Sequence, residues 1–203
     1  MFEPITKNIF RWGTIDPEIG LMMYSHLLLK GDKAVLIDPV AMPGLVQMIK
    51  VLADPLAVIM TNYPHLRGCP FLSKQFNISL FIPDIETVEE DEKLVNTFLD
   101  LYNIQSAQKY SELTVLPLGI EAYKINGRHE MALKFDDFLA VGDSAYSLNG
   151  KLTFYPTGIW SDEKEVKSNA TKAALTPVIK KSAADGLLSG HFGDIVTGLQ
   201  KMI

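Results

Sequence analysis

Cysteine is nearly missing. Cys69 is the only one in 203 residues, so no disulfide can close within the chain. Without cysteine pairs, zinc fingers and zinc ribbons are excluded, and a reducing, cytoplasmic setting is the default expectation. Positive charge is also short. Nineteen Lys and Arg stand against 24 Asp and Glu, a net charge of −5. The most basic cluster is only the pair Lys180-Lys181. A nucleic-acid binder carries a basic patch or stripe, so no nucleic-acid partner is expected. No apolar run approaches the ~20 residues that span a bilayer core, so no membrane partner is expected either. The opening MFEPITKNIF lacks the charged start and apolar core of a secretory leader.

What is present is ordinary for a globular chain: 47% apolar and 21% charged residues. The length suits one domain over residues 1–203. Met22 to Leu29 reads as a strand, Gly31-Asp32 as a hairpin turn, and Ala34 to Ile37 as the returning strand. Pro43 is a good first residue for a helix whose Leu45, Met48, Ile49 and Leu52 share one face. Ala57 to Met60 is a buried strand and Ser79 to Ile82 a short strand, with a helix over Cys69 to Phe76 between them. A helix spans about Thr87 to Tyr102, and the acids at its start, Glu86, Glu89, Glu90, Asp91 and Glu92, match the positive end of its dipole.

Turn pairs at Asn126-Gly127, Asp136-Asp137 and Asn149-Gly150 divide Thr114 to Phe154 into strands. Ser161 is placed to cap a helix running to about Ser182, broken or kinked at Pro177. Trp160 is read as a packing or pocket-rim residue. Gly186 to Ser189 reads as a last strand, with a final helix from Asp194.

Polar residues stand directly behind several of these strands: Asp38, Asn62, Asp143 and His191. Strand ends of a layered α/β fold converge on one rim, where sites are built. Gly142, ahead of Asp143, permits close backbone approach. His129 precedes the strand Met131 to Phe135. Imidazole and carboxylate together suit zinc, iron or manganese, although isolated histidines more often serve structure. His26, inside an apolar strand, is read as structural, and Cys69 as buried and inert.

The order of these segments resembles the metallo-β-lactamase superfamily over most of the chain. SHLLLKGDKAVLIDP resembles its first hairpin, which ends in a buried aspartate, here Asp38. AVIMTNYPHLRGCPFL resembles the strand and loop that carry HxHxDH, and GRHEMAL a later histidine segment, with His129 at the ligand position. FLAVGDSAY places Asp143 as the bridging aspartate, and LLSGHFGD places His191 as the last histidine ligand. The resemblance implies an α/β, four-layer αββα sandwich.

It also implies a departure. With Thr61 ahead of the motif, Asn62 and Pro64 fall on the first two histidines, Leu66 on the aspartate and Arg67 on the last histidine, while His65 lands on a spacer. Proline and leucine side chains offer a metal nothing, and arginine is always protonated. The expectation is a fold that has lost its dinuclear metal site and hydrolase activity, with no cofactor. The alternative is a hydrolase of esters, thioesters or phosphodiesters using one zinc, iron or manganese ion on His129, Asp143 and His191. A weaker third reading is a metal-free enzyme with His65 or His191 as base. The expected pocket joins Asn62, His65, Arg67, His129, Asp143 and His191 around a small polar or anionic ligand. Arg67 is expected to fill the metal space and pair with Asp143 within ~4 Å.

Overall fold

The computed structural model describes residues 2–17, 20–155 and 164–203. Strands β1 (Glu3–Pro4), β2 (Ile9–Ile15), β3 (Met22–Lys30) and β4 (Lys33–Ile37) form an antiparallel meander. The chain turns between β3 and β4 at Gly31-Asp32, where Gly31 takes φ 64°. Strands β5 (Asp54–Ile59), β6 (Ser79–Pro83) and β7 (Ala107–Tyr110) then add in parallel, and all seven lie in chain order. Parallel neighbours need crossover connections. These contain α1 (Leu45–Leu52), α2 (Cys69–Phe76) and α3 (Glu89–Tyr102). The first helix begins behind Gly44, not at Pro43.

Residue alternation along the central strands feeds two cores. Ala34, Leu36, Val58 and Met60 pack with Leu45, Ile49, Leu72 and Val95 on the side of the three helices. Val35, Ile37, Ala57 and Ile59 face the other way, onto Leu133, Phe135, Phe138 and Ala140.

Those partners come from the second half of the chain. It supplies β8 (Glu121–Lys124), β9 (Met131–Phe135), β10 (Phe138–Ala140), the hairpin β11 (Ala145–Leu148) with β12 (Lys151–Phe154), α4 (Lys164–Ser182) and β13 (Gly186–Leu188). The second sheet is ordered β13-β10-β9-β8, and Leu175, Val178 and Ile179 of α4 cover its outer face. Helices, sheet, sheet and helix make four layers.

Two local expectations change. Helix α4 continues past Pro177 to Ser182 without a break. The final helix from Asp194 does not form. Ile195 instead exchanges two backbone hydrogen bonds with Leu187 (2.8 and 2.9 Å), and only a 3₁₀ turn, Leu199–Lys201, follows. Leu187 lies on the edge strand β13, whose backbone groups need partners. Ile195 and Leu199 are both buried, four residues apart, so their spacing imitates a helix face. Ser161 and Trp160 lie outside the described residues. Among the described residues, no helix is long and apolar enough to cross a membrane.

Candidate functional site

The ends of β4, β5, β10 and β13 and the start of β9 meet at one rim of the sandwich. Asp38 follows β4 in a left-handed conformation, φ 46°. Its Oδ1 accepts the Thr61 backbone N–H (2.7 Å), and its Oδ2 accepts the Thr61 hydroxyl (2.6 Å). After β5 the chain winds into a 3₁₀ turn, Pro64–Leu66, fixed by Asn62 Oδ1 accepting the His65 N–H (2.8 Å). This turn sends the His65 ring into the protein, with Nδ1 2.8 Å from Asp38 Oδ2 and Nε2 3.1 Å from Asp143 Oδ1. From the loop after β13, His191 donates from Nδ1 to the Met22 carbonyl (2.8 Å) and brings Nε2 to 3.3 Å from Asp143 Oδ1. One ligand atom each from His65, Asp143 and His191 lies within 4.8 Å of the others.

Glycines make this convergence possible. A Cβ on Gly142 (φ 50°) would collide with Glu130 and with Thr61 Oγ1. One on Gly190 would lie 2.7 Å from the His65 ring and 3.3 Å from Asp143 Oδ1.

Arg67 sits at φ 36°, ψ −120°, a backbone conformation that side-chain-bearing residues rarely adopt. Its Nη1 donates to the Tyr24 carbonyl (2.9 Å), while Nη2 lies 2.9 Å from His65 Nε2 and 3.3 Å from His191 Nε2. The expected Arg67–Asp143 ion pair is not found among the described residues. The Tyr24 carbonyl and the two imidazoles occupy the guanidinium, which acts on Asp143 only through its field.

Burial pushes Asp143 up, but His65, His191 and Arg67 outweigh it and hold the carboxyl well below its ordinary range. Burial likewise opposes ionisation of Asp38, and His65, Arg67 and Thr61 overcome it. For His65, burial and Arg67 press downward. Asp143 and Asp38 win and raise the imidazole to about 9. His191 is lowered, chiefly by burial. The cluster therefore sets two cations, Arg67 and His65, against two anions, Asp38 and Asp143.

Nε2 of both histidines stands between Asp143 and Arg67. His65 Nε2 faces an acceptor, Asp143, and a donor, Arg67. With a proton it serves the carboxylate and meets the guanidinium cation to cation. Without one it serves Arg67 and meets the carboxylate lone pair to lone pair.

Glu130 has no place in the sequence reading, yet it is central here. It is buried, its Oε1 accepts from Asn62 Nδ2 (2.8 Å) and from the Asp143 N–H (2.7 Å), and its Oε2 accepts from the Ser144 hydroxyl. Burial, then the Asp143 charge, pushes it up to about 7. The available signal was an acid directly ahead of the apolar run Met131-Ala132-Leu133.

His129, expected as a ligand, is exposed and has Nδ1 2.6 Å from the Glu86 carbonyl. His129 lies in the bend that follows the Asn126-Gly127 turn, ahead of β9, while Glu130, at the entry to the strand, is buried. His65 stands in its place in the three-donor group. Asn62 links Glu130 to the His65 turn and does not line the cavity. Cys69 is buried, donates to the His65 carbonyl (3.3 Å), and burial pushes its thiol up, so it is inert. His26 is buried, with Nε2 3.4 Å from Asp194. A cavity of about 610 Å³ opens over the cluster, with His65, Arg67, Asp143 and His191 on one side and Met23, Val40 and Tyr155 among its walls.

No family model matches the chain, and no curated protein sequence matches it. Solved structures do. A metallo-beta-lactamase from Pontibacter korlensis superposes with a TM-score of 0.69 at 14% identity, covering 100% of this chain and 94% of that one. An archaeal metallo-beta-lactamase superfamily protein, ST1585 from Sulfolobus tokodaii, gives 0.65 at 16% identity, over 94% of this chain and 82% of its own. FIM-1 from Pseudomonas aeruginosa, in a mono-zinc form, gives 0.64 at 14% identity, over 96% and 88%.

The chain has the metallo-β-lactamase fold.

Within that metallo-β-lactamase fold the rim is crowded with this chain's own hydrogen bonds. Each acid named above is already engaged by neighbouring side chains or backbone N–H groups.

Proposed function

We propose that this metallo-β-lactamase-fold protein has no dinuclear metal centre, and that its rim cavity binds a small polar or anionic ligand rather than hydrolysing one. The observation that carries this reading is the Arg67 guanidinium lodged against Nε2 of both His65 and His191. A fixed positive charge stands where a second positive charge would have to enter.

The donor set supports it. Two ions need six or more well-placed ligands. Asn62 spends its amide on Glu130 and His65, Leu66 is buried in the core beside the helices, and Pro64 has no side-chain donor. The charges of Asp38 and Asp143 are already met by His65 and Arg67. Arg67 is half-buried and borders the cavity, so its remaining N–H groups can receive an oxyanion or a polar oxygen.

Calorimetry with micromolar Zn²⁺ should show no stoichiometric uptake. Hydrolysis of a chromogenic cephalosporin and of a nitrophenyl ester should stay at background. Metal-dependent turnover that disappears in His191→Ala would contradict the proposal.

A second reading rests on the three-donor group. His65, Asp143 and His191 have the donor types of a one-zinc site, and FIM-1 shows that this fold exists in a mono-zinc form. Such an ion would supply Lewis acidity and an activated water for ester, thioester or phosphodiester cleavage. His65 and His191 would hold it through Nε2, each oriented by its Nδ1 contact to Asp38 or to the Met22 carbonyl. Arg67 in its observed position opposes this reading.

A further inference from the structure

We propose that Arg67 is an internal lock on a latent one-metal site formed by His65, Asp143 and His191, so that its side chain and a divalent cation compete for the same space. The proposal rests on the metal-free reading above and states what maintains it.

Three observations lead to it. The first is spacing. Asp143 Oδ1 lies 3.1 Å from His65 Nε2 and 3.3 Å from His191 Nε2. Zinc bonds of ~2.0–2.1 Å in a tetrahedral shell place neighbouring ligand atoms ~3.3 Å apart. Two of the three donor pairs thus stand at the separation a zinc shell imposes, and all three atoms lie within 4.8 Å of one another. Both rings are also pinned from behind, at Nδ1, by Asp38 and by the Met22 carbonyl. That is the arrangement which directs Nε2 lone pairs at a metal.

The second observation is the guanidinium. Arg67 Nη2 lies 2.9 and 3.3 Å from the same two Nε2 atoms. It therefore caps the donor group from the side that Asp143 leaves open. A protonated guanidinium has no lone pair to give a cation, so it blocks the position without contributing a ligand.

The third is that the lock is under tension. The His65 Nε2 atom is claimed by a donor and an acceptor at once, and the Arg67 backbone is held at positive φ. The cavity beside Arg67, about 610 Å³, gives the side chain room to leave. Two imidazoles and one carboxylate favour a borderline divalent ion such as zinc or cobalt over magnesium or calcium.

Visible spectroscopy with Co²⁺, paired with Zn²⁺ calorimetry on the same full-length proteins, tests the lock. Arg67→Ala should bind one ion per chain, show cobalt ligand-field bands, and bind about a hundredfold or more tighter than the parent, because a like charge has been removed. Adding Asp143→Asn or His191→Ala to that variant should abolish the bands. Arg67→Gln, which retains a donor for the Tyr24 carbonyl, is the substitute if the alanine variant melts early. Neutral variants that bind no better than the parent, or whose binding survives loss of Asp143 or His191, overturn the lock and leave the metal-free reading standing. A parent protein that already binds one ion as tightly as Arg67→Ala overturns both.

Discussion

Glu130 shows how one side chain sets the terms for its neighbours. It is a buried acid held by Asn62, Ser144 and the Asp143 N–H. Its ionised form is disfavoured first by burial and then by Asp143. Glutamine should therefore fit well. Its oxygen can accept from Asn62 and Asp143, and its amide can donate to Ser144 Oγ. Glu130→Gln is expected to be near neutral at pH 5 and stabilising by about 1–3 kcal/mol at pH 8, where the parent must ionise a buried carboxyl. Urea denaturation at the two pH values measures the difference, and a variant less stable than the parent at pH 8 would contradict the assignment.

At the scale of elements, the loop behind β13 is tied to the opposite sheet through Asp194. Its Oδ1 accepts the Ser189 N–H (2.8 Å), and its Oδ2 accepts Arg11 Nη1 from β2 (3.0 Å). The Arg11 guanidinium also lies over the Tyr24 ring, 4.3 Å from its centroid, and the Tyr24 carbonyl anchors Arg67. One chain of contacts thus joins β2, β3, the His191 loop and the guanidinium. Asp194→Ala removes the acceptor of the Ser189 N–H and of Arg11, whose guanidinium keeps its 2.6 Å pair with Glu3, and should cost about 1–2 kcal/mol. It should also perturb the His191 ring signals in NMR spectra. Loss of less than about 0.5 kcal/mol, the worth of an exposed pair, would show that the link carries no load.

The same scale explains what the sequence could reveal. Ala34 to Ile37, Ala57 to Met60 and Leu80 to Ile82 are short apolar runs buried on both faces, and such runs announce central strands directly. Helix α2 was legible from the apolar residues along Cys69–Phe76. Ile195 was not, because two buried residues four apart fit a helix as well as an edge pairing. At the rim, Asp143 and His191 follow strand ends and could be read there. His65 depends on a three-residue 3₁₀ turn, and the choice between His129 and Glu130 depends on where the bend ahead of β9 ends. Tertiary packing settles both, and neither leaves a periodic trace in the sequence.

For the whole molecule, the rim charges predict the shape of the stability curve. Asp38 and Asp143 are lowered from 3.8, so their contribution is present above that pH and is lost as pH falls through their folded-state values. Glu130 is raised from 4.5, so its ionisation erodes stability as pH climbs through about 7. His65 is raised from 6.5 to about 9. Its contribution, on the order of 3 kcal/mol, is complete below 6.5 and lost as pH rises through about 9. Stability should peak in acid solution at about pH 4–5, above the range where Asp38 and Asp143 lose their charge and before Glu130 begins to ionise, and fall on both sides. In His65→Gln the alkaline fall through about 9 should flatten. A parent protein equally stable at pH 6 and pH 9.5 would refute this charge assignment.

The central claim is that Arg67 and His65, not metal ions, neutralise the rim. Elemental analysis of the untagged protein, purified without chelators from zinc-, iron- and manganese-supplemented cells, tests it most directly. The account predicts far less than one equivalent of any transition metal per chain. One or two equivalents that remain through gel filtration would contradict it.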